Sequence, residues 1–197
     1  MKRYVKEIVN SNTKKLSNSD KSFSALFDII FNFDGVLAEY GDGYRVNKLT
    51  YKQVREKIIS AAFEINRRLG ANHSYIGLYS ENSIEWIIFF WAILMSGNKP
   101  YLMNCRYPKS LLNGAIKTLG IKYIIGENQP PLETEFIPYS SFTLSGNSDY
   151  TGVWDDEIAL STSATSLNED ICIYKGSQIS EQVLNTEYVL SRNSRIR

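Results

Sequence analysis

The sequence predicts an α/β fold, an open and mostly parallel β-sheet with helices on both faces. Two observations predict it. Short apolar segments and longer helical ones alternate over residues 75–126, in the order strand, helix, strand, helix, strand. The short segments are apolar throughout rather than alternately apolar and polar, which is typical of strands covered on both faces. Crossovers between such strands are expected to be right-handed.

The N-terminal third should contain a leader, one helix and a hairpin. Residues 1–21 form a polar leader, helix-prone or disordered, which lacks the apolar region of a signal peptide. An apolar helix is expected over residues 23–33. Strands over 36–40 and 44–49 flank an Asp-Gly pair in Gly41-Asp42-Gly43, which favours a hairpin because the turn requires positive φ.

The clearest helix begins after Thr50. Thr50 and Gln53 have the spacing of a capping box, in which each side chain satisfies a free amide of the first turn. Gly70 is a natural C-terminal stop. Apolar residues then recur at helical spacing: Tyr51, Val54, Ile58, Ala61, Ala62, Ile65 and Leu69.

A second helix is expected from a cap at Asn82 or Ser83 to Ser96. Its segment 86–95 is apolar all round, which indicates a helix buried on several sides or lying in an interface. The other expected elements are strands over 75–80, 100–104, 121–126, 136–139, 157–163 and 171–174, helices over 108–119 and 177–190, and a loop over 140–155. Residues 22–197 are thus expected to form one unit after the leader.

Composition excludes several classes of protein. The net charge is +1 and there is no basic stripe, which argues against nucleic acid. The most apolar run, 86–95, is far shorter than the roughly 20 residues of a membrane span. Cys105 and Cys172 are isolated, so we expect buried, inert thiols rather than a zinc site or a disulfide. The prediction is a cytoplasmic protein with no nucleic-acid or membrane partner.

One loop has the composition of a phosphate site. The apolar strand from Glu157 runs into a cluster of small hydroxyl residues: Ser161, Thr162, Ser163, Thr165 and Ser166. Such a loop presents backbone amides and hydroxyls together, as phosphate oxygens require. The alternative interpretation is a plain surface turn.

Other candidate residues have structural explanations. His73 lies between a helix stop and a strand, and we expect it to be structural or exposed. Glu81 and Glu85 are one turn apart at a helix start, where they support the helix dipole. The acidic residues 155–157 are expected in a solvated loop, with a metal site as the alternative. The sequence contains neither a Gly-x-Gly-x-x-Gly motif nor a Walker loop.

Four segments together resemble the adenylate-forming enzyme superfamily, which includes acyl-CoA synthetases and peptide-synthetase adenylation domains. Residues 49–54 (LTYKQV) resemble its first core motif, and 79–86 (YSENSIEW) resemble the segment after its first sheet strand. Residues 94–104 (LMSGNKPYLMN) resemble its second core motif. Residues 161–170 fall where the family has its phosphate loop. The order and spacing agree over about residues 25–190, which implies the first subdomain of the large domain.

The resemblance implies a cofactor-binding loop made of Thr162, Ser163, Ala164, Thr165 and Ser166. Three positions depart from the family pattern. Ala164 and Leu167 stand where the family has Gly, whose freedom allows a tight backbone approach. Asp170 stands about where the family has Lys, and an anion repels polyphosphate. The departures predict a degenerate phosphate loop.

The resemblance also implies an activity for the whole enzyme. It would use ATP and Mg²⁺ to convert a carboxylic acid to an acyl-adenylate, then transfer the acyl group to the thiol of CoA or of a carrier protein. The family's later motifs would lie beyond Arg197: the adenine segment, the acidic residue for magnesium, the ribose Asp, and the lysine of the small C-terminal domain. No residue of this chain is predicted to be catalytic, and the chain alone is expected to be inactive.

The expected partners follow from the same resemblance. They are the remainder of the large domain, the small C-terminal domain and a CoA or carrier-protein acceptor. Apolar faces that the remainder would cover predict self-association of the chain alone. The alternative function is a non-catalytic module that binds a nucleotide, CoA or a protein.

Overall fold

The computed structural model describes residues 2–41, 46–146, 149–161 and 171–193. In these ranges the helices are α1 (Lys2–Ser17), α2 (Phe23–Phe31), α3 (Tyr51–Leu69), α4 (Ile84–Met95), α5 (Lys109–Leu119) and α6 (Gly176–Asn193). The strands are β1 (Val36–Gly41), β2 (Val46–Thr50), β3 (Tyr75–Tyr79), β4 (Lys99–Met103), β5 (Tyr123–Gly126), β6 (Glu135–Pro138), β7 (Glu157–Ser161) and β8 (Ile171–Lys175). A short 3₁₀ turn, Tyr139–Ser141, follows β6.

The main sheet has six strands in the order β6-β5-β3-β4-β7-β8. Every neighbouring pair is parallel except β7 and β8, which are antiparallel. Strands β1 and β2 form a separate antiparallel pair, as the hairpin pattern predicted, and the predicted turn at 42–43 lies outside the described residues. The predicted open, mostly parallel sheet is therefore confirmed.

Helices cover both faces of this sheet. On one face α2, α3 and α4 share a core with Leu78 and Ile125. On the other face α5 packs Leu112 and Ala115 against Tyr101 of β4. Consecutive strand residues point to opposite faces, so strands buried on both sides must be apolar throughout. This explains why the apolar runs in the sequence do not alternate with polar residues.

Helix α4 lies at the centre of the larger core. Ile88, Phe89 and residues 91–95 are buried, which confirms that its apolar circumference packs on several sides. Burial of about 1.5–3 kcal/mol per large apolar side chain makes this helix a main source of stability.

The helix ends follow the capping signals in the sequence. Thr50 and Gln53 form the predicted capping box at α3, and Ser83 accepts a hydrogen bond from the Trp86 amide at α4. Gly70 ends α3 with φ of 77°, in the left-handed region that favours glycine. These ends set the directions in which the chain enters β3 and leaves it.

The polar leader is helical. Of the two predicted states, the structure shows the helix α1, which begins at Lys2 and ends at Ser17. Its Leu16 is only 3% exposed and lies in the larger core. The amide of Phe23 then donates to the Asp156 carboxylate at 2.7 Å, which attaches the start of α2 to the strand β7 region.

Removing the α3 cap should measurably weaken the fold. We expect Thr50→Ala to lower the free energy of unfolding by about 1 kcal/mol, because the Gln53 amide loses its acceptor. Chemical denaturation would measure the loss. Thr118→Ala, at an exposed position inside α5, is the matched control and should be neutral or slightly stabilising because alanine favours helix. Equal losses for both variants would contradict the capping role.

Candidate functional site

The carboxyl ends of β3, β4, β5 and β7 meet at one edge of the sheet because these strands are parallel. After β3 the chain enters α4 on one face, and after the neighbouring β4 it enters α5 on the other. The two connecting segments therefore diverge and leave an opening between them. In open α/β sheets, ligands bind in such an opening, where the strand order reverses.

The structure has a crevice at this position, with a volume of about 530 Å³. A volume of this size is typical of small-molecule sites. The crevice is lined by residues that follow or end the two strands: Ser80, Glu81, Asn82, Trp86, Leu102, Met103, Asn104, Cys105 and Arg106.

A smaller notch adjoins the crevice at the carboxyl ends of β3 and β5. Its volume is about 280 Å³ and it is lined by Tyr79, Ser80, Glu81, Cys105, Glu127 and Asn128. The strands can lie close there because Gly126 has no side chain, whose Cβ would collide with the Tyr79 carbonyl oxygen. The crevice and the notch share Ser80, Glu81 and Cys105, so they form one recess.

The two cysteines are half-buried, not buried as predicted. Cys105 lies in the turn after β4, where it is half-buried and lines the recess. Cys172 is in β8 and is also half-buried. Burial raises the pKa of the Cys105 thiol, and the nearby Glu81 carboxylate raises it further. The thiol is therefore protonated at neutral pH and a poor nucleophile.

The predicted phosphate-loop residues, Thr162, Ser163, Ala164, Thr165 and Ser166, lie outside the described residues, as do Leu167 and Asp170. The structure does describe the strands on either side. Strand β7 ends at Ser161, whose hydroxyl is 2.7 Å from that of the buried Tyr101 on β4. Because β7 is parallel to β4, Ser161 lies at the same edge of the sheet as the recess.

The acidic residues 155–157 were expected in a solvated loop, and this prediction is wrong. Asp155 is buried and its carboxylate is 2.7 Å from the Nδ1 atom of His73. Asp156 accepts the Phe23 amide. Glu157 binds the Lys99 ammonium at 3.0 Å and accepts the Tyr75 hydroxyl. Each carboxylate has a partner distant in sequence, so no local pattern could indicate its burial.

These contacts fix the amino edge of the sheet, opposite the recess. Tyr75, Lys99 and Glu157 are the first residues of β3, β4 and β7. Burial acts to raise the pKa of Glu157, but the hydrogen bonds from Tyr75 and Lys99 bring it below its usual value. His73 is largely exposed and has a positive φ of 52°, and its bond to Asp155 gives it the structural role predicted.

Sequence reasoning missed the residues that line the recess, notably Arg106 and Glu127. The signal that could have found them is position, since Glu127 directly follows β5 and Arg106 is the third residue after β4. Within the described ranges, no group of three or more potential ligands could hold a metal ion. In the same part of the chain, no helix combines the length and apolar character that crossing a bilayer requires.

The fold defines a doubly wound α/β protein with a crevice at the carboxyl edge of its sheet. A family model described as "AMP-binding enzyme" matches residues 35–177, which is more than half of the chain. The chain therefore belongs to the AMP-binding enzyme family, a group of adenylate-forming enzymes, as the four sequence segments indicated. A comparison with curated proteins found no significant match.

Solved structures share the fold at low sequence identity. The Klebsiella oxytoca NpsA N-terminal subdomain matches with a TM-score of 0.65 and 19% identity, over 81% of this chain and 43% of that one. The nonribosomal peptide synthetase FmoA3 in an AMPPNP-bound form matches at 0.58 and 14%, over 68% of this chain and 15% of that one. NpsA-ThdA, an artificially fused adenylation–PCP di-domain from Klebsiella oxytoca, matches at 0.55 and 18%, over 68% and 29%. The chain thus spans less than half the length of each.

The His73–Asp155 contact should be important for stability. We expect His73→Gly to lower the free energy of unfolding by about 1–3 kcal/mol, because it leaves a buried carboxylate without its partner while glycine keeps the positive φ. Thermal or chemical unfolding would measure this.

Lys21→Gly is the matched control for this variant. Lys21 also has a positive φ, of 60°, but its side chain makes only a partly exposed ion pair with Glu181. That variant should be nearly neutral, because such a pair contributes little. If both variants lost the same free energy of unfolding, the loss would come from the backbone conformation and not from the Asp155 contact.

Proposed function

We propose that this chain is the N-terminal part of an ATP-dependent ligase that activates a carboxylic acid. The complete enzyme would form an acyl-adenylate and pyrophosphate, and would then transfer the acyl group to the thiol of CoA or of a carrier protein. The observation that supports this most directly is the position of Ser161. It ends β7 at the carboxyl edge of the sheet, and the hydroxyl-rich residues 162–166 follow it directly in the sequence.

In this proposal the loop residues Thr162, Ser163, Ala164, Thr165 and Ser166 bind the β- and γ-phosphates of ATP. Hydroxyls and backbone amides would stabilise the negative charge that develops on the leaving pyrophosphate. Mg²⁺ would neutralise part of the same charge. The helices α3 and α4 would act as scaffold, because their side chains are used in the core.

The comparisons support both halves of the reaction. FmoA3 was solved with AMPPNP, an ATP analogue, which agrees with ATP as the cofactor. NpsA-ThdA joins adenylation to a PCP unit, which agrees with a carrier-protein acceptor. CoA is proposed as the alternative acceptor because the sequence also resembles acyl-CoA synthetases. The remaining partners would be the rest of the large domain and a small C-terminal domain, in a cytoplasmic protein.

A second candidate is a non-catalytic module that binds a nucleotide, CoA or a protein. The loop composition favours it, since Leu167 replaces a flexible glycine and Asp170 places a negative charge next to the phosphates. In that case the phosphate loop is degenerate, and the fold is retained for binding.

Titration of the chain with ATP, AMP and CoA in the presence of Mg²⁺ would test the proposed phosphate role of segment 162–166. Saturable ATP binding is expected if segment 162–166 binds phosphate, while CoA binding alone or no binding would favour a degenerate loop. ATP–pyrophosphate exchange, measured with a panel of acids on a protein of the length of its relatives, would then test catalysis. No exchange from a folded protein would contradict the proposed reaction.

The Asp170 charge gives a directional prediction. We expect Asp170→Lys to strengthen ATP binding about tenfold, since it replaces repulsion by attraction near the phosphates. Glu135→Lys is the matched control, because it makes the same change of charge at the exposed start of β6, on the opposite edge of the sheet. Equal gains in both variants would indicate only a general effect of net charge.

The chain alone should also self-associate. Ile173 on β8 and Val183 on α6 are large apolar side chains that are about half exposed. Sedimentation velocity over a range of concentrations would detect a dimer or larger species. A strictly monomeric chain that unfolds cooperatively would contradict this prediction.

A further inference from the structure

A second cavity lies at the amino edge of the sheet, opposite the recess. Its volume is about 280 Å³, and its walls include the segments that enter β3, β4 and β5. Leu69 ends α3, Ser74 precedes β3, Asn98 precedes β4 and Lys122 precedes β5. A volume just below the usual range for drug-sized ligands suits a compound with a single ring. We call this space the amino-edge cavity.

Asn98 is a buried polar residue in the wall of this cavity, with 1% of its surface exposed. Its Nδ2 atom donates to the Gly70 carbonyl at 2.8 Å and to the Ser96 hydroxyl at 3.1 Å. Because the Ser96 hydroxyl gives its own hydrogen to the Ile93 carbonyl, both partners of Nδ2 can only accept. The orientation of the Asn98 carboxamide is therefore fixed.

The Oδ1 atom of the same carboxamide is an acceptor without a donor. No side-chain hydrogen bond among the described residues uses this atom. It is not one of the fully buried polar atoms without a partner, which in those residues are the Arg55 Nη1 atom and the Tyr139 hydroxyl. The Oδ1 atom is therefore open to solvent, and the opening that Asn98 lines is the amino-edge cavity. A ligand with an O–H or N–H group can donate to it there.

Two tyrosine rings also line the cavity. Tyr75 and Tyr123 are the first residues of the neighbouring strands β3 and β5, and both are half-buried. The Lys99 ammonium lies over the Tyr75 ring, 5.4 Å from its centroid, and the Tyr75 hydroxyl donates to Glu157, so the position of this ring is fixed. Together with the aliphatic side chain of Leu69, the rings form a surface on which an aromatic ligand can pack.

Lys122 gives the cavity a positive charge. Its side chain is exposed, and none of the ion pairs among the described residues involves it. Within the same part of the chain, no Asp or Glu residue lines the cavity. The charge of the lining therefore favours an anionic ligand.

We propose that the amino-edge cavity binds a small aromatic carboxylic acid that carries a hydroxyl group on its ring. The ring packs on Tyr75 and Tyr123, the hydroxyl donates to the Oδ1 atom of Asn98, and the carboxylate contacts the Lys122 ammonium. The site is at the opposite edge of the sheet from the recess, so it is separate from the proposed acid activation and does not depend on it. Mg-ATP is not expected there, because the cavity volume of about 280 Å³ lies below the range of sites for larger ligands.

Calorimetric titration of the chain with 4-hydroxybenzoate, benzoate and 4-hydroxybenzamide tests each contact. Benzoate lacks the hydroxyl and should bind about fivefold more weakly than 4-hydroxybenzoate, because the hydrogen bond to Asn98 is lost. 4-Hydroxybenzamide lacks the negative charge and should bind about threefold more weakly, because Lys122 loses its partner. Equal affinities for the three compounds, or no saturable binding of 4-hydroxybenzoate at millimolar concentration, would overturn the proposal.

The Asn98 contact is tested by changing the ligand because a substitution of Asn98 would disturb the fold. Such a variant would also lose the hydrogen bonds to the Gly70 carbonyl and the Ser96 hydroxyl. The comparison of benzoate with 4-hydroxybenzoate leaves both bonds intact.

The charge contact is tested by a pair of lysine variants. Lys122→Gln should weaken the binding of 4-hydroxybenzoate about threefold and leave that of 4-hydroxybenzamide unchanged, since only the first compound is charged. Lys117→Gln is the matched control, because it removes the same charge at an exposed position of α5 that does not line the cavity. It should have no effect on either compound. The proposal fails if the two variants behave alike.

Hydrogen exchange of the backbone amides locates the bound compound. Saturating 4-hydroxybenzoate should slow exchange in peptides that cover 72–76, 97–99 and 121–124, with no change in peptides that cover 101–106 at the recess. Ser74→Phe places a large side chain at an exposed position of the cavity wall, so it should abolish this protection. Protection confined to 101–106, or full protection in a folded Ser74→Phe variant, would place the compound elsewhere and contradict the proposal.

Discussion

The structure depends on the parallel pairing of β3 with β4 on one side and β5 on the other. With β3 in the middle, right-handed crossovers must send α4 and α5 to opposite faces. Both faces of the sheet are then covered, which explains the apolar strands and the buried α4. The same geometry separates the segments that follow β3 and β4. The core and the recess are thus two results of one strand order.

The two edges of the sheet use charge differently. At the amino edge, Glu157 pairs with Lys99 and Asp155 pairs with His73, and these contacts hold the strand starts in register. At the carboxyl edge, Glu81, Glu127 and Arg106 have no such partners within the described ranges. Paired charges contribute to a fixed structure, whereas unpaired charges in a concave surface are available to a ligand. This difference between the two edges supports a ligand site at the carboxyl edge.

Local signals were sufficient for most of the fold. The Thr50–Gln53 spacing predicted the start of α3, and the apolar run 86–95 predicted a helix buried on several sides. Contacts between distant residues were not predictable in this way. Asp155 was assigned to a solvated loop because its partner, His73, is 82 residues away. Cys105 was expected to be buried, because the sequence does not show that the turn after β4 borders a crevice. Segment 162–166 was selected for its hydroxyl content and its resemblance to a family motif, and its phosphate role stays a prediction.

The central claim is that nucleotide binds at the carboxyl edge of the sheet, next to the end of β7. Hydrogen exchange of the backbone amides, with and without Mg-ATP, tests this most directly. Nucleotide bound at this position should slow exchange in peptides that cover 161–170 and 101–106, with no change in peptides that cover 72–75 at the opposite edge. Protection confined to the opposite edge, or no protection at saturating ATP, would contradict it.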